Sequence, residues 1–161
     1  MAADFELHLE RGLEVDYQAA ERVLRAGPQE WLPGFEQQGE RLTTEIGFEE
    51  LGRRLTRRVD VVLGSVQPFA YGVTVRVEWK GAEHPRLYPA LEGHLRLERQ
   101  QPAGCRLRFD ARYDPPAGRL GAAADRALMH HVAQSSVADF TDRVAGLLTA
   151  GGRDRRAPQP P

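Results

Sequence analysis

From Arg41 to Asp114 the chain alternates apolar and polar residues almost without interruption, and at Pro115-Pro116 the alternation gives way to a helical period. Leu42, Thr44, Ile46 and Phe48 alternate with Thr43, Glu45 and Glu49, and Leu55, Val59, Val61 and Leu63 alternate with Arg54, Thr56, Arg58 and Asp60. Phe69, Tyr71, Val73, Val75, Val77 and Trp79 oppose Thr74, Arg76 and Glu78. Leu91 to Glu98 and Cys105 to Tyr113 repeat the pattern on either side of the Pro102-Ala103-Gly104 turn, so they pair as a hairpin. Strands with one wet and one buried face belong to an antiparallel sheet, since strands of a parallel sheet are apolar on both faces.

The flanking segments complete the architecture. Phe5, Leu7 and Leu9 alternate with Glu6, His8 and Glu10, which makes a first strand. Asp16 stands where a helix N-cap belongs, and Tyr17 to Ala26 places Ala20, Val23 and Leu24 on one stripe before Gly27-Pro28 ends it. Pro28 to Phe35 suits a single helical turn folded over the sheet. Leu120 to Thr149 holds no proline and one interior glycine, Gly146, and predicts one helix of about 30 residues, roughly 45 Å long. The expected class is α+β: a curved antiparallel sheet of six to seven strands wrapped around a long C-terminal helix, with two short helices after strand one. Six strands follow from the pattern, and Gly81 to Pro89 has room for the seventh. Residues 1–150 form one domain on this reading, and 151–161, almost without apolar residues and ending in prolines, a disordered tail.

Composition narrows the function classes. The single cysteine, Cys105, permits neither an internal disulfide nor a Cys/His zinc pattern, and neither metal nor cofactor is expected. No apolar run reaches membrane-spanning length, and Met1 to Glu10 carries acids where a secretory signal needs cations, so a cytoplasmic location is expected. With 22 basic and 23 acidic residues spread along the chain there is no global field to gather nucleic acid, and none is expected as a partner.

The order strand, helix, short helix, antiparallel strands and long final helix resembles that of the START-like, or helix-grip, superfamily. The resemblance spans Asp4 to about Ala150. The stretch YDPPAGRLGAAADRALMHHVAQSSVADFTDRVAGLL, Tyr113 to Leu148, is similar to the end of bacterial members of the polyketide cyclase/dehydrase and lipid-transport group. What this implies is an apolar ligand cavity between the sheet and the last helix.

Candidate residues follow from parity and periodicity. Tyr71 and Trp79 on one inward strand face join Phe109, Tyr113, Trp31 and Phe35 as aromatic walls of a cavity, or of an ordinary filled core. Arg57 has inward parity between Leu55 and Val59, where a guanidinium needs a partner or an anionic ligand, unless the strand end swings it to solvent. Of the adjacent His130 and His131 only one can face the sheet, and His131 falls on a seam with Leu128 and Ser135. His131 and Tyr71 are thus the candidates for any acid-base role. The favoured function is a carrier or binder of a hydrophobic small molecule such as a lipid, polyketide or isoprenoid. The alternatives are a polyketide aromatase/cyclase, and an assembly role in which Arg96, Arg106, Arg108 and Arg112 on the wet sheet face bind a protein or RNA.

Overall fold

A computed structural model describes residues 5–82, 88–114 and 123–154. In chain order they form β1 (Phe5–Leu13), α1 (Tyr17–Ala26), α2 (Pro28–Trp31), β2 (Glu36–Gln38), β3 (Arg41–Glu50), β4 (Arg53–Leu63), β5 (Gln67–Phe69), β6 (Gly72–Gly81), β7 (Ala90–Arg99), β8 (Cys105–Asp114) and α3 (Ala123–Asp154). The strands make one antiparallel sheet in the order β1-β8-β7-β6-β4-β3-β2, with β5 paired to β6 off this path.

The sheet has to curve, because α3 touches both of its wings. Strands β1 and β3 have four others between them in hydrogen-bonding order. At about 4.8 Å per strand a flat sheet would hold them roughly 24 Å apart, twice the width of a helix. Yet Arg11 of β1 bonds Asp142 of α3 at 2.5 Å, and the Gly47 amide of β3 donates to Asp139 of the same helix at 2.7 Å. The gripped helix is therefore tied from opposite sides.

Alternation decides the inner face. Val73, Val75, Val77 and Trp79 of β6, Leu91, Leu95 and Leu97 of β7, and Cys105, Leu107, Phe109 and Tyr113 of β8 are all buried. Against them α3 lays Val132, Ser136, Val137, Phe140, Val144 and Leu148. Asp16 caps α1, its carboxylate accepting from the Ala19 amide at 3.4 Å, and Ala20, Val23 and Leu24 are the buried stripe of that helix.

Four expectations are corrected. The additional strands are β2 and β5, three residues each and too short to show a period; Ala82, Tyr88 and Pro89 lie outside strands, and 83–87 fall outside the described residues. The expected tail begins too early, since α3 continues through Gly151 and Gly152 to Asp154; residues 155–161 lie outside the described set. Tyr71 sits in the turn between β5 and β6 and is 70% exposed, because the chain reverses where the alternation had suggested one strand. The seam of α3 is rotated from the one drawn through Leu128, His131 and Ser135. Stepping back from Phe140 by three and four residues leads to Ser136, Val137, Val132 and Ala133, and these are the buried positions.

Candidate functional site

The centre of the grip is filled. Trp79, Phe109 and Phe140 pack in mutual contact, with ring centroids 6.1, 5.2 and 5.4 Å apart, and all three are buried. Open space begins where the sheet loses a strand pair. Strand β4 starts at Arg53, but β6 pairs with it only from the Val59–Gly81 register onward. One further backbone bond, from the Ala82 amide to the Arg58 carbonyl at 3.3 Å, closes this ladder.

Beyond it lies a cavity of about 480 Å³, with Phe48, Arg57, Tyr88, Met129 and Val132 on its walls and Glu50, Thr56, Arg58, Gly81 and Ala82 also on the lining among the described residues. Phe48 reaches it from β3, Met129 and Val132 from α3, and Tyr88 from the segment before β7. The Phe48 and Tyr88 rings meet at 5.4 Å between centroids. The Tyr88 hydroxyl lies 2.5 Å from the Ser136 Oγ, which itself donates to the Val132 carbonyl at 2.6 Å. Serine has one proton to give, so the tyrosine is the donor in the first bond. Burial drives the Tyr88 phenol well above its ordinary range and keeps it neutral.

The hairpin under the cavity is held by Asp139. Its carboxylate accepts from the Gly47 amide at 2.7 Å and from Arg54 at 2.6 Å, and lies 3.6 Å from Arg143. The Glu49 amide donates to the Ser135 Oγ at 3.0 Å. Arg58 is committed as well, to the Gly34 carbonyl at 2.9 Å, Thr43 at 3.0 Å and Glu36 at 3.4 Å. Arg57 forms neither an ion pair nor a hydrogen bond among the described residues.

Of the residues singled out in the sequence, Arg57 lines this cavity and the others are dispersed. Trp79 and Phe109 belong to the filled centre, and Trp31 is buried. Phe35 and Leu128 are half-buried. Tyr113 is buried at the far wing, stacked on Phe5 at 5.2 Å, with its hydroxyl 2.8 Å from the His130 Nδ1. His130, rather than His131, is thus the histidine turned inward. The His131 side chain is 56% exposed, 4.0 Å from the Glu49 carboxylate, and Ser135 serves as a tie to β3. The lining residues not singled out, Phe48, Tyr88, Met129 and Val132, left only partial signals. Phe48 has inward parity on β3, and Met129 and Val132 continue the Phe140 stripe toward the N-terminus, whereas Tyr88 follows a segment without periodicity.

Volume alone does not single out this cavity. A cleft of about 480 Å³ along β4, β6, β7 and β8 is lined by Val62, Trp79, Ala90, Leu91 and Tyr113 as well as by Asp60, Glu78, Lys80, Glu92, Arg112 and Asp114, and a groove of about 490 Å³ runs between β1 and α3. The cavity between the β3–β4 hairpin and α3 sets two aromatic rings, a methionine and a valine beside Glu50, Arg57 and Arg58, so it joins an apolar wall to charged groups. The arginine-rich outer face is internally balanced. Arg96 and Arg108 pair with Asp110 at 3.2 and 3.0 Å, Arg106 with Glu10 at 3.5 Å, and Arg112 with Glu92 at 3.6 Å. Burial opposes charge on Asp110, but bonds from His8 and Arg108 outweigh it and hold the carboxyl below its ordinary range. Cys105 is buried, its thiol pushed up to about 11 by desolvation and its Sγ donating to the Val15 carbonyl at 3.4 Å, so it is no nucleophile. Among the described residues no three His, Cys, Asp or Glu side chains are placed to hold a metal ion, and no helix is long and apolar enough to cross a membrane.

The sequence matches no known family profile and no curated protein. Solved structures do match. The ZhuI aromatase/cyclase of Streptomyces sp. R1128 superposes with a TM-score of 0.57 at 12% identity, covering 96% of this chain and 98% of its own. A protein from Thermus thermophilus gives 0.54 at 14% identity over 91% and 98%. Norcoclaurine synthase from Thalictrum flavum gives 0.53 at 9% identity over 91% and 87%. The fold is the helix-grip.

Proposed function

We propose that this helix-grip protein binds a hydrophobic small molecule, of lipid, polyketide or isoprenoid kind, in the cavity between the β3–β4 hairpin, Tyr88 and α3. One observation carries the reading: about 480 Å³ of open space faced by Phe48, Tyr88, Met129 and Val132, a volume within the ordinary range for small-molecule sites. The likeness to an aromatase/cyclase and to norcoclaurine synthase supports it at the level of fold. Binding is favoured over cyclisation because neither candidate for acid-base work reaches the cavity. His131 is turned to Glu49 and Tyr71 lies in the β5–β6 turn.

Native mass spectrometry of the purified protein, followed by denaturing extraction, tests the proposal. The expected result is a co-purifying apolar molecule, or a rise in Tm with a panel of such molecules, that is lost in Met129→Trp, where an indole occupies the cavity. An empty protein that gains no stability from the panel sinks it.

A further inference from the structure

The surroundings of Arg57 sharpen the binding reading, on which this inference rests. Arg57 sits opposite Ile46 in the β3–β4 register, and its same-face neighbours along and across the strands are Leu55, Val59, Thr44 and Phe48. None is acidic. The cavity walls beyond it are Tyr88, Met129 and Val132, and the carboxylate on the described lining, Glu50, makes no ion pair with it. Of the other hairpin arginines Arg54 is held by Asp139 and Arg58 by Glu36 and the Gly34 carbonyl, while Arg53, which does not line the cavity, has no such bond among the described residues. Among the described lining residues Arg57 is thus the arginine without a bond, and it stands beside the apolar wall. Arg57 lines the cavity and is itself exposed, so its charge is hydrated without a partner, and it offers paired N–H donors in the geometry of a carboxylate to an anion that reaches it.

We infer that the cavity selects an amphipathic acid, with the apolar chain between Phe48, Tyr88, Met129 and Val132 and the carboxylate on Arg57. A neutral molecule of the same length gains the apolar contacts and forgoes the charged bond.

Isothermal titration of decanoate and 1-decanol tests this on the wild-type protein and on Arg57→Gln and Arg57→Lys, with Tm measured to confirm that each variant is folded. Wild-type protein is expected to prefer decanoate by roughly ten-fold or more. Arg57→Gln is expected to erase that preference through loss of decanoate affinity, and Arg57→Lys to retain part of it. Equal affinity for the two probes in the wild-type protein, or a preference that survives Arg57→Gln, overturns the acid selectivity and leaves cavity binding standing. Failure of both probes to bind overturns the selectivity and the cavity reading together.

Discussion

The Tyr88 hydroxyl donates to Ser136 across 2.5 Å, joining the segment before β7 to the middle of α3 beside the cavity. The two partners are unequal. Ser136 keeps its bond to the Val132 carbonyl if the tyrosine hydroxyl is removed, whereas Tyr88 is left with a buried unpaired phenol if the serine oxygen is removed. Tyr88→Phe should therefore cost about 1 kcal/mol or less and Ser136→Ala about 1–3 kcal/mol. Urea denaturation of both variants measures the difference. The reverse order would mean that the serine is the donor.

Alkali should unfold the protein from pH 9–10 upward, roughly the range in which exposed thiols and phenols ionise. Burial raises Tyr88, raises Tyr17 to about 12 with help from its bond to Glu21, and raises Cys105 to about 11. In each case the folded state keeps a proton that the unfolded chain gives up. The stability these groups contribute is complete below the unfolded pKa and is lost as pH rises toward the folded one. Tyr88→Phe removes one contributor, so its stability should fall less steeply between pH 9 and 11 than that of the wild-type protein. Denaturant midpoints across that range decide the matter, and parallel curves would argue against a buried neutral phenol.

Two glycines of α3 should respond in opposite senses to the same change. A Cβ at Gly152 would lie 2.6 Å from Val15 Cγ2 and 3.5 Å from the Ala19 Cβ, so the close approach of the last helical turn to α1 needs hydrogen there. Gly152→Ala is expected to destabilise by about 1–3 kcal/mol through overpacking. At Gly146 a Cβ meets nothing within 4 Å, and Gly146→Ala should stabilise by roughly 0.5–1 kcal/mol through helix propensity. Thermal melts of the two variants are the check.

That contrast also explains how far the sequence could be read. Strands β3, β4, β6, β7 and β8 announce themselves because each puts one face in water, and Asp16 with Gly27-Pro28 brackets α1 by local chemistry. The C-terminal end of α3 was hidden because Gly151-Gly152 reads as a stop when taken alone, and only the packing on α1 makes glycine the fitting residue. The site was less legible than the fold. Arg57 showed itself as a charge on an apolar parity. Tyr88 owes its place to a tertiary bond with Ser136, 48 residues away, and His131 lost its expected place to a rotation of the helix seam that is fixed by Phe140. Periodicity gives the spacing of a stripe but leaves its phase to the partner surface.

Phe140 is where a filled centre can be told from a deeper binding chamber. Its ring packs between Trp79 and Phe109 and is fully buried, whereas the cavity is lined from Met129 and Val132, two and more helical turns earlier on α3. Phe140→Ala should cost about 3–5 kcal/mol, as expected for an unfilled aromatic site, and should alter the fluorescence of Trp79 as its neighbour is lost. Phe140→Leu keeps more of the volume and is the variant to use if alanine prevents folding. Because sites without shared contacts perturb each other little, the rise in Tm that a cavity ligand gives should persist in Phe140→Leu and vanish in Met129→Trp. A folded Phe140→Leu protein that no longer binds would place the ligand among Trp79, Phe109 and Phe140, and the centre of the grip would then be a chamber that those rings close when it is empty.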